Sequence, residues 1–561
     1  MNNTVNLTID GQVIYAEEGV TILEAARQNG IKIPTLCYHS RLAPLGHCRV
    51  CLVQIEGMDR PVTSCDNPVA AGMIVTTTTP ALEEMRKGVI ELALATHPYK
   101  DCLTCVRTGT CELQDKAYCY QVELPAQLER RVPSAKNHKN PYLVRDEEKC
   151  ILCGRCVEVC RSLAGRSVYG MIGRGVNTRV VPYRNGREVS LEEAGCIFCG
   201  QCIDVCPVAA LTEAERPAGG REWELSHKPG VCNECSLGCY LERQGYNDCF
   251  VKSSVADDGD PVGWLCLKGK FGNEHGNGEK LFGKALLKDK DGYIETTYRN
   301  AFEKAAAKIL DIKERFGAGA LAVTASGKLS NEENYLLQKL ARKVIGTAHV
   351  DLGAEALWVE AFSAVQAISG SAAPGLTPAA LSKASSLLII GSGLDDSHPV
   401  AAMAIRKAGR FGDAVIIDTA ENPDGEPIDA WDSISLKTGD GCSTDLFSAL
   451  SALISGTDDG SEAAAKLGLP LDLLIRAAKL ISGRNSCIVV CPSYFKNADS
   501  LSLEALIRLV QVSGVVERGR NNLLLLSKYS NATGVLAAGG TNHSHQEISE
   551  AGNGQSFINK D

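Results

Sequence analysis

Residues 150–160 read CILCGRCVEVC, and residues 196–207 read CIFCGQCIDVCP. Each stretch holds four cysteines with the spacing C-x2-C-x2-C-x3-C, so the second stretch is an internal repeat of the first. This spacing is typical of thiolates that bind a 4Fe-4S cluster, and the fourth cysteine of each run binds the other cluster. The two predicted ligand sets are therefore Cys150, Cys153, Cys156 and Cys206, and Cys160, Cys196, Cys199 and Cys202.

The cysteine content of the whole chain supports metal binding. The chain has 561 residues and 24 cysteines, of which 21 lie between Cys37 and Cys266. Disulfides are the alternative, but the N-terminus has no basic and apolar secretion signal, and the spacings are those of metal ligands. We therefore expect a ligand-rich N-terminal half and an ordinary C-terminal half.

The composition excludes several other classes of protein. Lys plus Arg number 58 against 67 Asp plus Glu, a net charge of -9, which argues against a nucleic-acid-binding surface. The chain has no apolar run of about 18 residues, so we expect no membrane segment. We expect a soluble cytoplasmic protein of roughly three to five domains.

Residues 1–80 predict a small β-rich domain. Residues 5–16 alternate apolar and polar around Asp-Gly, which indicates a hairpin, and a helix capped by Thr21 follows and ends at Gly30. Four thiolates from a long loop and a later strand suit a 2Fe-2S cluster, with a structural zinc ion as the alternative. The segment resembles a 2Fe-2S ferredoxin domain of the β-grasp fold, with the predicted ligands Cys37, Cys48, Cys51 and Cys65.

Residues 81–120 contain a mixed set of imidazole and thiolate ligands. Residues 96–115, THPYKDCLTCVRTGTCELQD, resemble the His/Cys3 cluster segment of the complex I large iron-sulfur subunit, iron-only hydrogenases and NAD-linked formate dehydrogenases. One more residue separates the histidine from the first cysteine than in that family pattern. The resemblance implies a 4Fe-4S cluster bound by His97, Cys102, Cys105 and Cys111.

Two further segments complete the N-terminal half. Residues 138–215 resemble a two-cluster bacterial ferredoxin domain. Residues 222–280 resemble the 4Fe-4S domain that opens molybdopterin oxidoreductases, which implies a cluster bound by Cys232, Cys235, Cys239 and Cys266, with a zinc ribbon as the alternative. The same resemblance places Lys268 between cluster and pterin. The remaining cysteines are predicted to be buried small apolar residues: Cys119, Cys249, Cys442, Cys487 and Cys491.

The C-terminal half, residues 281–561, predicts a parallel α/β fold. Short apolar strands at 321–323, 386–390 and 414–418 lie near amphipathic helices at 331–345 and 399–410. Gly391-Ser392-Gly393 follows a strand, but Asp396 stands where a dinucleotide loop has its third glycine, so the pattern does not predict an NAD site.

This half also resembles a known domain. Residues 326–351 and 387–400 resemble the pterin-binding domains of formate dehydrogenases and molybdopterin oxidoreductases. By that resemblance, Leu357 and Trp358 stand where the family has its metal-ligating Cys or selenocysteine and its His. The same resemblance implies the absence of the C-terminal domain that closes over the cofactor in that family. We therefore expect a truncated domain that binds no molybdopterin. We also expect that this chain has no substrate-converting site.

Together, these segments predict a multidomain α+β and α/β protein with one 2Fe-2S and four 4Fe-4S clusters. Such a series of one-electron centres connects two redox sites. The resemblances imply an electron-transfer subunit of a soluble NAD(P)H-linked, flavin-based electron-bifurcating complex of the transhydrogenase, hydrogenase or formate dehydrogenase type. Its expected partners are a flavoprotein that oxidises NAD(P)H, a small 2Fe-2S subunit, and ferredoxin or a further catalytic subunit.

Two alternatives remain. One is a catalytic formate dehydrogenase that uses molybdenum or tungsten. The other is a peripheral-arm subunit of complex I, against which the doubled ferredoxin runs argue. An iron-only hydrogenase is excluded by the lack of active-site cysteine motifs after Cys266.

Overall fold

The computed structural model describes residues 4–123, 140–215, 219–256, 263–272, 283–290, 292–324, 326–351, 356–370, 375–411, 415–419, 433–437 and 443–537. The chain divides into two compact units. The first contains Met1–Gly230 and Cys239–Asn277, and the second contains Val231–Gly238 and Gly278–Asp561. None of the helices in the described ranges combines the length and apolar character that a bilayer crossing requires.

The first unit begins with a five-stranded sheet. Its strands are β1 (Thr4–Ile9), β2 (Gln12–Glu17), β3 (Leu52–Ile55), β4 (Val62–Thr63) and β5 (Ile74–Thr76), in the order β2-β1-β5-β3-β4. The predicted hairpin is confirmed, because Asp10 and Gly11 turn in the left-handed region at φ 49° and 81°. The predicted helix is α1 (Ile22–Gln28), which Thr21 and Glu24 cap reciprocally. Its buried face packs on β1, β2 and β3.

A helical segment follows this sheet. It consists of α2 (Pro80–Ala95), a 3-10 turn (Tyr99–Leu103) and α3 (Glu112–Cys119). Arg86 of α2 is buried and donates hydrogen bonds to the carbonyl oxygens of Val50 (3.1 Å) and Thr77 (2.8 Å). Its guanidinium therefore fixes α2 to the sheet domain by satisfying backbone groups that no strand pairs.

The repeated cysteine runs lie in a compact arrangement of short elements. These are β6 (Leu143–Arg145), α4 (Arg155–Glu158), a π turn (Val159–Leu163), β7 (Tyr169–Ile172), β8 (Arg179–Arg184), β9 (Arg187–Glu188), α5 (Gln201–Asp204) and β10 (Leu211–Glu213). β6 and β10 pair antiparallel. The repeat is also visible in the backbone: Gly154 and Gly200, at φ 81° and 71°, begin α4 and α5.

The last part of the first unit contains β12 (Tyr240–Tyr246) and β13 (Cys249–Val255), which follow β11 (Ser226–Val231) in a three-stranded sheet. A short helix, α6 (Leu267–Phe271), comes after them, and Cys266 is its N-cap residue.

The second unit opens with the hairpin β14 (Ala285–Asp289) and β15 (Gly292–Thr296) and the long helix α7 (Tyr298–Phe316). A two-stranded parallel sheet follows, formed by β16 (Val323–Thr324) and β17 (Val350–Asp351). Between them lies α8 (Asn331–Lys339), which continues as a π turn (Leu340–Ile345) and confirms the helix predicted at 331–345. The helices α9 (Ala356–Ser369) and α10 (Pro378–Leu381) come next.

A five-stranded parallel sheet forms the centre of the second unit. Its strands are β18 (Ser386–Ile390), β19 (Val415–Asp418), β20 (Ser433–Ser435), β21 (Ser486–Val490) and β24 (Leu523–Leu525), in the order β20-β19-β18-β21-β24, and a small hairpin is formed by β22 (Val516–Glu517) and β23 (Arg520–Asn521). The helices are α11 (Leu394–Ser397), α12 (Pro399–Phe411), α13 (Thr444–Ser455), α14 (Ser461–Leu467), α15 (Leu471–Ile481), α16 (Pro492–Asn497), α17 (Ser500–Val512) and α18 (Ala532–Ala537).

Both faces of this sheet are buried, which explains the continuous apolar runs. On β18, Leu388 and Ile390 face a core that includes α13, whereas Leu387 and Ile389 face a core that includes α12. The strand predicted at 386–390 and the helix predicted at 399–410 are therefore confirmed. The strand predicted at 414–418 begins at Val415, since residue 414 lies outside the described ranges, and that at 321–323 is shifted to Val323–Thr324.

Candidate iron-sulfur sites

The first of the twin ligand sets lines a single cavity. All four of its cysteines contribute to the wall: Cys150, Cys153 and Cys156 from the first run, and Cys206 from the second. Burial raises the pKa of the Cys153 thiol to about 12, and the nearby Cys206 sulfur adds to the rise. Cys206 of the second run thus lies with three cysteines of the first run, in a cavity that disfavours bare thiolates without a compensating cation.

The second set is grouped in the same way. Burial raises the pKa of Cys202 well above its usual value, and the sulfurs of Cys199, Cys196 and Cys160 raise it further. The charge of Cys202 also raises the pKa of Cys156 in the first set, so the two sets are neighbours.

Backbone amides are aimed at corresponding sulfurs of the two runs. The Leu152 N–H donates to Cys150 Sγ and the Phe198 N–H donates to Cys196 Sγ, each at 3.4 Å. Both donors have left-handed backbones, at φ 56° and 49°. A left-handed backbone is unfavourable for residues other than glycine. The surrounding structure therefore holds Leu152 and Phe198 in this conformation, in which each amide points at a cysteine sulfur.

The His/Cys3 segment surrounds a larger cavity of about 440 Å³, lined by His97, Cys102 and Cys111 among others. Cys105 is close enough to influence the pKa of both Cys102 and Cys111. His97 is 6% exposed, and its Nδ1 lies 3.1 Å from the carbonyl oxygen of Lys149. Because a carbonyl oxygen only accepts, Nδ1 carries the proton and Nε2 presents a lone pair, as in histidines that ligate metals.

The four cysteines of the β-grasp segment form two hydrogen-bonded pairs. The Cys37 thiol bonds Cys48, which lowers the pKa of Cys48 to about 6, and the Cys65 thiol bonds Cys51, which lowers the pKa of Cys51 to about 7. The pairs are adjacent, since Cys48 influences Cys51. The loop between Cys37 and Cys48 requires glycine at position 46, where φ is 61° and an added Cβ would lie 2.6 Å from the Asp66 carboxylate.

The fourth predicted set is divided between the units. Cys232 and Cys235 lie in the second unit, and Cys239 and Cys266 in the first, so their common ligation stays a prediction. Within the first unit, Cys266 lies near the second ferredoxin set, because its charge contributes to the raised pKa of Cys199. Lys268 is exposed on α6.

The neighbouring Lys270, which the sequence analysis missed, is 3% exposed. Its Nζ lies 2.6 Å from the Asp204 carboxylate and 3.1 Å from that of Glu213, and it donates to the carbonyl oxygen of Ser253 at 2.7 Å. Burial alone would lower the pKa of Lys270, but the two carboxylates raise it overall. No local sequence signal distinguishes this lysine from Lys268, because its partners come from distant segments.

Residues that flank the ligands connect neighbouring sites within the first unit. Glu112, next to Cys111, forms a two-pronged ion pair with Arg155, next to Cys156, at 2.6 and 2.7 Å. His47, next to Cys48, packs so closely on Gly154 that an added Cβ would lie 2.9 Å from its Nδ1. Gln201, next to Cys202, donates to the Leu265 carbonyl oxygen at 3.0 Å.

The arrangement of the first ferredoxin set suits a 4Fe-4S cluster better than a single metal ion. Among the described residues, no three His, Cys, Asp or Glu side chains converge closely enough to hold a single metal ion. A 4Fe-4S cluster makes a different demand, because each ligand binds its own iron and the ligands therefore line a cavity. The Cys150, Cys153, Cys156 and Cys206 side chains do this.

The cysteines outside the five predicted ligand sets differ in their burial. Cys487 and Cys491 are buried as predicted, whereas Cys119 and Cys249 are exposed, so the prediction of burial is wrong for those two. Each of the two stands at an end of its element, Cys119 as the last residue of α3 and Cys249 as the first of β13. Cys442 lies outside the described residues.

Leu357 and Trp358 belong to the apolar core of the second unit, where the Trp358 ring stacks on Phe362 at 5.2 Å. Gly391-Ser392-Gly393 follows β18 directly, as the sequence indicates.

Comparison with family models identifies the class of domains in the chain. Residues 2–80 match a 2Fe-2S iron-sulfur cluster binding domain, and residues 86–125 match the NADH-ubiquinone oxidoreductase-G iron-sulfur binding region. Residues 140–212 match the ferredoxin-like domain of NADH-quinone oxidoreductase subunit 3, and residues 284–553 match molybdopterin oxidoreductase. The chain therefore carries 2Fe-2S and 4Fe-4S binding domains followed by a molybdopterin oxidoreductase domain.

Three relatives show which kinds of protein are similar to most of the chain. The chain is 30% identical to the NADPH-Fe(3+) oxidoreductase subunit alpha of Geobacter sulfurreducens (strain DL-1 / KN400) over 95% of the chain and 65% of the relative. It is 30% identical to an NADH-quinone oxidoreductase subunit of Rhizobium meliloti over 90% of the chain and 57% of the relative. It is 28% identical to the putative formate dehydrogenase YrhE of Bacillus subtilis over 78% of the chain and 48% of the relative.

The chain thus resembles the large iron-sulfur subunit of complex I and formate dehydrogenases, which confirms the resemblance predicted from the motifs. It spans 65% or less of the length of each of these three relatives.

Proposed function

We propose that this chain is the iron-sulfur electron-transfer subunit of a soluble, cytoplasmic NAD(P)H-linked oxidoreductase complex. The observation that carries the proposal is the grouping of the predicted ligands in the first unit, where residues flanking one set contact residues flanking the next. His47 meets Gly154, and Glu112 bonds Arg155. Short contacts of this kind keep neighbouring centres within reach of electron transfer.

The proposed ligands are those of the five predicted sets. They are Cys37, Cys48, Cys51 and Cys65 for a 2Fe-2S cluster, and His97, Cys102, Cys105 and Cys111; Cys150, Cys153, Cys156 and Cys206; Cys160, Cys196, Cys199 and Cys202; and Cys232, Cys235, Cys239 and Cys266 for four 4Fe-4S clusters. When bound, each cluster supplies a site that takes up and releases one electron at a time. The protein's part is to fix the ligands, exclude water and hold the sites close together.

The second unit acts, in this proposal, as a scaffold and docking domain without molybdopterin. The supporting observation is that Leu357 and Trp358 pack in its apolar core. Trp358 is 2% exposed, so its ring serves the packing of α9.

The partners we propose are a flavoprotein that oxidises NAD(P)H, a small 2Fe-2S subunit, and ferredoxin or a further catalytic subunit. The names of two relatives, an NADPH-Fe(3+) oxidoreductase and an NADH-quinone oxidoreductase, support the link to pyridine nucleotides. More specifically, we propose that the complex carries out flavin-based electron bifurcation. Single electrons would then pass along the chain in either direction between the flavoprotein and the acceptor.

Elemental analysis of the anaerobically purified chain tests the proposal. We expect about 18 iron atoms per chain and neither molybdenum nor tungsten, which corresponds to one 2Fe-2S and four 4Fe-4S clusters. Stoichiometric molybdenum or tungsten would instead support the alternative of a catalytic formate dehydrogenase, which the molybdopterin oxidoreductase match at 284–553 favours. Zinc in place of part of the iron would refute the cluster assignment for the corresponding set.

A further inference from the structure

The hairpin inserted between the two cysteine runs carries a buried tyrosine. Tyr169 is the first residue of β7, it is 5% exposed, and it lies between Cys160 of the first run and Cys196 of the second in sequence. Burying a phenol hydroxyl costs free energy unless the group finds a hydrogen-bond partner. The position of that hydroxyl therefore requires an explanation.

Tyr169 touches both of the twin ligand sets. Its side chain lines the cavity formed by Cys150, Cys153, Cys156 and Cys206. Its Oη, however, lies 3.9 Å from the Sγ of Cys202, which belongs to the other set. The residue thus borders one site, while its hydroxyl lies within hydrogen-bonding distance of a ligand of the other.

The same hairpin supplies a second donor to that set. The N–H of Val168, the residue before Tyr169, donates to Cys160 Sγ at 3.3 Å. The two runs each contribute an amide to their own first cysteine, at Cys150 and Cys196, so these bonds follow the repeat. The bonds from Val168 and Tyr169 come from outside the repeat, and both go to the second set.

We propose that Tyr169 raises the redox potential of the 4Fe-4S cluster held by Cys160, Cys196, Cys199 and Cys202 by donating its hydroxyl proton in a hydrogen bond to Cys202 Sγ. A cluster-bound cysteine sulfur has no proton, so the hydroxyl must be the donor. The bond is stronger to the more negative, reduced cluster, and hydrogen bonds to the sulfurs are among the features that set cluster potentials. The inference rests on the proposed ligand sets, and it predicts that two cysteine runs of the same spacing hold clusters of different potential.

The test is a redox titration, followed by electron paramagnetic resonance, of the full chain reconstituted with iron and sulfide. Tyr169→Phe keeps the ring against the first cavity and removes only the hydroxyl. We expect one 4Fe-4S midpoint to become more negative, so that at a fixed potential the ratio of reduced to oxidised cluster falls about threefold to tenfold, where tenfold is about 59 mV for one electron. Iron content should not change.

Tyr183→Phe is the matched control. Tyr183 lies on β8 of the same hairpin, but its side chain is 40% exposed. We expect all midpoints of this variant to equal those of the unaltered chain. Unchanged midpoints in Tyr169→Phe, or an equal shift of every 4Fe-4S midpoint, would overturn the proposal.

Serine variants of the ligands identify the cluster that shifts. The signal moved by Tyr169→Phe should be the one that Cys202→Ser alters or abolishes, and it should not be the one that Cys153→Ser alters or abolishes. The reverse pattern refutes the role of Tyr169. If Cys202→Ser changes no signal at all, the proposed ligand set fails instead, so the two failures are distinguishable.

Discussion

The two units of the chain are stabilised by different means. In the second unit, β18 and β21 are buried along their whole length, and large apolar side chains such as Phe447 fill the space beside the sheet. In the first unit, the segment that holds the twin cysteine sets has helices of only four residues and buries charged side chains such as Arg155 and Glu158. Isolated helices of that length are unstable in water. The twin-cysteine segment of the first unit should therefore depend on its metal clusters, and the second unit on burial of apolar surface.

Iron removal should produce the largest difference in stability between the two units. With a chelator under anaerobic, reducing conditions, we expect residues 140–215 to lose amide protection, because structural metal ions contribute on the order of 10 kcal/mol to small metal domains. Strands β18 and β21 should keep theirs. Hydrogen-deuterium exchange followed by mass spectrometry measures both regions in one sample, and simultaneous loss of protection would contradict the comparison.

Replacing one ligand should have a smaller, local effect. In Cys153→Ser, we expect the loss of about four of roughly 18 iron atoms and of one 4Fe-4S signal. Cys487→Ser is the control, because Cys487 is buried in the second unit and belongs to no predicted set. Iron analysis and electron paramagnetic resonance of both variants check the prediction, and a full iron complement with unchanged 4Fe-4S signals in Cys153→Ser would show that this cysteine is not a ligand.

Breaking the buried ion pairs of α6 tests the charged interior of the first unit. Lys270→Met leaves the Asp204 and Glu213 carboxylates without their cation, which should destabilise this region by about 3 to 5 kcal/mol. Lys268→Met, two residues away on the same helix and exposed, should change stability by less than about 0.5 kcal/mol. Denaturant unfolding followed by cluster absorbance compares the two, and equal midpoints would mean that Lys270 is not structural.

Removal of a single buried methyl group tests how much the apolar core stabilises the second unit. Ile488→Val on β21 should lower the free energy of unfolding by about 1 kcal/mol and leave the iron content unchanged. Ile475→Val on α15, where the side chain is 46% exposed, should have almost no effect. Circular dichroism during denaturation measures the difference. A change in iron content in Ile488→Val would show that the units are not energetically separate.

Sequence reasoning succeeded where the signal was local. The Asp10-Gly11 pair predicts the hairpin that forms there, and the apolar run at 386–390 predicts a central strand. The cysteine spacing predicts ligand sets that stay predictions, and the structure brings Cys206 to the same cavity as Cys150, Cys153 and Cys156. Sequence reasoning failed where partners come from distant segments. Lys270 and Tyr169 acquire their surroundings from residues far away in sequence, and the exposure of Cys119 and Cys249 depends on how neighbouring elements pack.

The pairing of β6 with β10 places the two ends of the ferredoxin segment side by side. Leu143 faces Glu213, and Arg145 faces Leu211, so residues 143–213 begin and end at nearly the same point. A segment with adjacent ends can be inserted into a host protein, or removed from it, with little disturbance of the host. The twin-cluster segment therefore has the end-to-end geometry of an insertion, and the buried carboxylates that it supplies to Lys270 are what the rest of the unit would lose with it.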